Sequence, residues 1–157
     1  MKDTGSEQLL RNNRRISIQA EQYANGLLAK QGVTAVQANV LQFVLRQADE
    51  HGTSLTRVQR EFGYSKAALS HILKALRRKG YVRTENCADD GRAKLIFPTE
   101  AGEQLRGYLE NTFSDMHHQL YGAFSTAELE ALDEMQKKLL RNLSELTKQS
   151  QKEASEF

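Results

Sequence analysis

The sequence predicts a mainly α-helical fold carrying one small β-hairpin. Three observations predict it. There is a single proline, Pro98, in 157 residues, so long helices are permitted almost throughout. Apolar side chains recur at three-four spacing over most of the chain. One stretch, residues 81–97, loses that period around a polar tip containing Asp90 and Gly91.

Taken in order, the first helix opens with Ser6 as N-cap and carries Leu9, Ile16, Ala20, Tyr23 and Leu27 at helical spacing until Gly32 stops it. Thr34 followed by Gln37 is a capping box, and Val36, Val40 and Val44 with Leu41, Phe43 and Leu45 continue a second helix to near Gly52. A short third helix has Ser54 as its cap, Leu55, Val58 and Phe62 on one face, and Gly63 at its end. After Gly63, Tyr64 and Ser65, a fourth helix runs over 66–79 and stops at Gly80. Residues 81–86 and 93–97, with Tyr81, Val82, Thr84, Leu95, Ile96 and Phe97, form the hairpin. Thr99 caps a fifth helix whose stripe is Leu105, Leu109, Phe113, Met116 and Leu120. Ser125 or Thr126 starts the last, where Leu129, Leu132, Leu139, Leu143 and Leu146 resemble a coiled-coil seam before a polar tail that frays from about Lys148.

Composition narrows the class of function. One cysteine, Cys87, excludes an internal disulfide and a multi-thiolate metal site. No apolar run approaches the roughly 18 residues of a membrane span, and the start of the chain lacks a hydrophobic export segment, so a cytoplasmic protein without a membrane partner is expected. The net charge of +2 conceals segregation: 57–98 carries 10 basic against 4 acidic residues, whereas 99–157 carries 6 against 11. A basic centre beside an acidic tail suits a surface that meets a polyanion. Enzyme chemistry has no foothold, because the chain has no glycine-rich phosphate loop, nucleophile elbow or metal-ligand cluster, and no cofactor is expected.

The fourth helix carries the functional expectation. At 100° per residue, Leu69, Ile72, Leu73 and Leu76 fall on one narrow face, and Ala67, Ser70, His71, Lys74 and Arg78 lie opposite, with Lys66 at the edge. Alone, that is an ordinary solvated face. Preceded by a short capped helix and followed by a basic hairpin, it fits the reading helix of a winged helix-turn-helix, whose exposed residues must be small enough for the backbone to enter the major groove of duplex DNA. Ala67, Ser70 and His71 are then the candidate base readers, and Ser65, Lys66, Lys74, Arg78 and Lys94 the candidate phosphate contacts.

These residues carry a family resemblance. Thr34-Ala35-Val36-Gln37, the helix-turn-helix, Leu76-Arg77-Arg78-Lys79-Gly80-Tyr81-Val82, Asp90-Gly91-Arg92-Ala93-Lys94 and Pro98-Thr99-Glu100-Ala101-Gly102 resemble the multiple-antibiotic-resistance regulator (MarR) family, without a gap through the wing. The resemblance implies that Arg92 enters the minor groove while Asp90 orients its guanidinium. It implies a homodimer in which the first and last two helices of two subunits interleave, and a small aromatic or lipophilic effector in a cleft for which Tyr23, Phe43, Met116 and His117 are candidates. His71 stands where the family often has arginine, Lys74 where it often has an acid, and Cys87 where aspartate is usual. The apolar stripes point to a dimer independently, being too long for one small winged module to cover.

The expected organisation is therefore an N-terminal dimerisation helix at 1–32, a winged helix-turn-helix domain at 33–98 with its recognition helix at 66–79 and wing at 81–97, C-terminal dimerisation helices at 99–148, and a polar tail at 149–157. The expected function is that of a ligand-responsive repressor on a pseudo-palindromic operator. Alternatives share the fold. A redox regulator would use Cys87, although Asp89 and Asp90 disfavour its thiolate and no second cysteine resolves a sulfenic acid. A metal regulator would use His117, His118 and Asp115, although adjacent helical histidines point about 100° apart. A protein-interaction module would turn the basic surface to an acidic partner.

Overall fold

A computed structural model describes residues 4–47, 51–86 and 94–155. In chain order the elements are α1 (Thr4–Leu28) with a 3-10 turn at Ala29–Gln31, α2 (Ala35–Gln47), β1 (Thr53–Ser54), α3 (Leu55–Phe62), α4 (Lys66–Arg78), β2 (Val82–Asn86), β3 (Lys94–Pro98), α5 (Glu100–Gln104), α6 (Arg106–Tyr121) and α7 (Thr126–Ser155). The chain forms two compact units, Met1–Asp115 and Met116–Phe157.

The helix starts follow local capping chemistry. Thr34 N–H donates to Gln37 Oε1 at 3.2 Å and Gln37 N–H to Thr34 Oγ1 at 3.3 Å, a reciprocal capping box. Ser54 and Ser65 accept from Arg57 N–H and Ala68 N–H, and Thr99 accepts from Gly102 N–H. Ser125 and Glu128 form a second reciprocal box at the head of α7. Gly32 and Gly63 close their helices in the left-handed region, at φ 66° and 70°, where a Cβ would be disfavoured.

The core of the first unit gathers around α2, whose Ala35, Ala38, Val40, Leu41, Val44 and Leu45 are all buried. Against it lie Leu28 of α1, Val58 of α3, the apolar side of α4, and Ile96 of the sheet. The sheet is three-stranded and antiparallel in the order β1-β3-β2. Ile96 pairs with Thr53 on one side and Thr84 on the other, so these residues and Val82 share the inward face. β1 is an addition to the expected hairpin: two residues, read from the sequence only as a cap, also pair with the wing.

Three other expectations are corrected. The fifth helix is two, because Leu105 N–H turns back to Gly102 O at 3.1 Å in a 3-10 step and separates α5 from α6. Within the expected stripe Leu109, Phe113 and Met116 are buried, but Leu120 is 45% exposed. The tail does not fray at Lys148: α7 continues to Ser155, with no glycine or proline to break it.

Candidate nucleic-acid interface

The helix-turn-helix is positioned from both ends of α4. Its first turn is fixed by Ser65, whose extended backbone (φ −65°, ψ 158°) ends the connection from α3 and whose Oγ accepts Ala68 N–H at 3.1 Å. The hydroxyl proton of Ser65 is not consumed by the cap, so the group retains a donor for an anion at this helix start. Along its length α4 is held by Leu69, Ile72, Leu73 and Leu76, exposed by no more than 8%. The burial of all four matches the face assigned from spacing.

The opposite side is open. Lys66, Ala67, Ala68, Ser70, His71, Lys74 and Arg78 are all exposed, and no acidic residue occurs between Glu61 and Glu85. Ala67, Ser70 and His71 lie together on the N-terminal half of this face, whereas Lys74 and Arg78 extend towards its C-terminal half. The field there is positive and the profile low, a combination that a groove flanked by phosphates accommodates.

Two cations of the same segment face other work. Arg77 Nη1 donates to Thr84 Oγ1 at 3.3 Å, tying α4 to the wing strand β2. Lys79 Nζ donates to Gly32 O at 2.5 Å and to Gln37 Oε1 at 2.6 Å, reaching the junction between α1 and α2. No role was assigned to either from the sequence, and no local spacing could have revealed partners 47 and 42 residues distant.

The wing leaves α4 through Gly80, at φ 78°, and returns at Thr99, whose Oγ1 donates to Gly80 O at 2.5 Å and whose N–H donates to Tyr81 O at 3.1 Å. The hairpin is thereby closed at its base. On its outer face the Arg83 guanidinium lies 4.3 Å from the centre of the Phe97 ring and pairs with Glu85 of the same strand. Lys94 is exposed at the far end of β3, opposite Asn86. Asp90 and Arg92, assigned to the wing tip, and Cys87 at its base lie outside the described residues.

The four effector candidates are divided between the units. In the first, Tyr23 is 47% exposed, and Phe43 meets Phe62 edge-on at 5.7 Å, with Phe62 stacked on Tyr64 at 5.5 Å. Burial, and then the nearby Glu21 carboxylate, push the Tyr64 phenol above its usual pKa. In the second, Met116 is buried and His117 is exposed with its ring 6.4 Å from that of Tyr121. Among the described residues no group of three or more His, Cys, Asp or Glu side chains is placed to hold a metal ion, and no helix is long and apolar enough to cross a membrane.

Comparison with known proteins agrees with this architecture. Residues 31–93 match the MarR family model. The chain resembles MepR from S. aureus, solved as a DNA complex, with a TM-score of 0.76 and 23% identity over 90% of this chain and 99% of that one. It resembles a mutant MarR from E. coli, complexed with operator DNA, with a TM-score of 0.74 and 22% identity over 88% and 99%. A MarR protein from Peptoclostridium difficile matches with a TM-score of 0.80 at 15% identity over 91% and 92%. Residues 31–93 are thus similar to the MarR family, and the chain as a whole has the fold of these MarR-type structures.

Proposed function

We propose that this protein is a homodimeric transcription regulator that binds a pseudo-palindromic operator in duplex DNA and acts as a repressor. α4 enters the major groove, where Ala67, Ser70 and His71 read base edges while Ser65, Lys66, Lys74, Arg78 and Lys94 meet phosphates. Arg92, oriented by Asp90, enters the adjacent minor groove. A small aromatic or lipophilic ligand releases the operator by favouring a different separation of the two recognition helices.

The observation that carries the reading is the division of α4 into one buried apolar side and one exposed side free of acids. The DNA complexes of MepR and MarR, whose folds this chain shares, support it. The dimer is supported by apolar side chains left in solvent: Leu9, Leu10 and Ile16 of α1, and Met135, Leu139, Leu143 and Leu146 of α7, each at least 43% exposed in the single chain.

Selection of bound sequences from random duplex, followed by titration against a scrambled control, tests the reading. A recovered two-fold-symmetric site, bound more weakly as salt rises, is the expected result. Equal affinity for every duplex would refute it and favour the protein-interaction module.

A further inference from the structure

The contacts of Lys79 join three elements at one ammonium. Gly32 O, which it reaches at 2.5 Å, is a carbonyl just past the end of α1 and its 3-10 turn, where the backbone has no helical donor left to offer. The same region carries the negative end of the α1 dipole, so a cation is favoured there. Gln37 Oε1, at 2.6 Å, also receives Thr34 N–H and so belongs to the cap that starts α2. A further bond clamps this junction: Ala35 N–H donates to Asn25 Oδ1 of α1 at 2.6 Å. Lys79 is itself the C-cap of α4, with its N–H turned back to Ala75 O. The end of the recognition helix is thus anchored to the turn that sets the direction in which α1 meets α2.

We propose that Lys79 is a positioning residue: through Gly32 and Gln37 it fixes the orientation of α4 relative to α1, and so sets how selectively the protein discriminates one duplex from another without touching DNA itself. This rests on the DNA-binding reading above and deepens it. Sequence discrimination needs base-reading side chains held to within a fraction of an ångström, whereas phosphate attraction tolerates a tilted helix. Loss of the brace therefore reduces selectivity more than total affinity. It also gives α1, a helix with exposed apolar side chains, a direct mechanical route to the reading surface.

The test compares wild type, Lys79→Met, Gln37→Met and the double variant, binding the selected operator and a scrambled duplex at several salt concentrations. Lys79→Met is expected to lower the operator-to-scrambled affinity ratio roughly two- to tenfold, with an unchanged slope of log affinity against log salt. The double variant is expected to lose less than the sum of the two single losses, because the Lys79–Gln37 bond is shared while the bond to Gly32 and the Thr34 cap are each lost in one variant only. A slope shallower by about one, with equal weakening on both duplexes, would make Lys79 a phosphate contact and overturn the proposal. Urea midpoints of the four proteins read the tie without DNA: strictly additive losses also overturn it. A wild type that prefers no duplex overturns the DNA-binding reading instead, whatever the midpoints show.

Discussion

Gly102 offers a sign-determined test of how the wing is fixed to the core. It is buried in α5, and a Cβ built on it would stand 2.3 Å from Tyr81 O and 3.5 Å from Leu41 Cδ1. Such contacts essentially never fall below 3.0 Å, so Gly102→Ala must open the gap by at least about 0.7 Å. The obstacle is backbone. It is also committed backbone, because Tyr81 O accepts Thr99 N–H at 3.1 Å in the latch that closes the wing. Overpacking of this kind costs about 1–3 kcal/mol, and the better helix propensity of alanine returns at most about 1 kcal/mol. The net expectation is a loss of about 1–2 kcal/mol, or roughly 2–8 °C in Tm for a chain of this size.

Gly107 is the control. It lies in the first turn of α6 with nothing within 4 Å of its hypothetical Cβ, so Gly107→Ala is expected to gain about 0.4–1 kcal/mol by restricting the unfolded chain. Both variants belong in one calorimetric series at a single protein concentration, because a dimer's Tm depends on concentration. If Gly102→Ala melted at or above the wild-type temperature, the close packing of α5 on Tyr81 would be refuted, and with it the account of how the wing base is held.

Four other outcomes are expected. Ser65→Ala, removing the cap of α4, should cost about 1 kcal/mol in urea denaturation, and Ser65→Asp should recover most of it while weakening DNA binding through its charge. Ser70→Ala should relax preference at particular base pairs by roughly 1–3 kcal/mol in competition assays, with little change in salt slope. Lys74→Ala, by contrast, should weaken binding to all duplexes alike and lower that slope by about 0.9. Leu143→Asp, at a side chain 53% exposed in the single chain, should shift sedimentation towards monomer and abolish operator binding at low protein concentration.

What could be read from the sequence was whatever is decided within a few residues. The caps at Thr34, Ser54, Thr99 and Ser125 are contacts between a side chain and a backbone N–H about three residues on, and spacing alone exposes them. The two sides of α4 follow from the same 100° arithmetic. The pairing of Thr53–Ser54 with the wing was not legible, since two residues carry no alternation and β3 lies some 40 residues downstream. The reach of Lys79 was hidden for the same reason, and its place among Arg77, Arg78 and Lys79 made three cations look alike when two of them are occupied by Thr84, Gly32 and Gln37. In α1 the pattern named Leu9, Ile16, Tyr23 and Leu27, yet the buried residues are Ala24 and Leu28. Periodicity finds a stripe but cannot say whether a chain's own core or another molecule covers it.

That distinction bears on how reading and spacing are divided along the chain. α7 runs for 30 residues without one buried side chain. A solvated helix of that length draws little stability from propensity alone, and one that repeats leucine at three-four spacing leaves its apolar row in water. Leu139, Leu143 and Leu146 lie on such a row and are 43–61% exposed, so a partner surface would supply what the single chain does not. The MarR family match covers residues 31–93, which contain α4 and the wing strand β2 but neither this row nor the exposed residues of α1. If the stripes close the dimer, the winged domain decides which bases are read, and the helices outside it decide how far apart the two readings fall. On the proposed reading a ligand need not touch the reading surface to release DNA: a change in how α1 meets its partner would be passed on through the turn after α1, which closes at Gly32, where Lys79 Nζ is bonded.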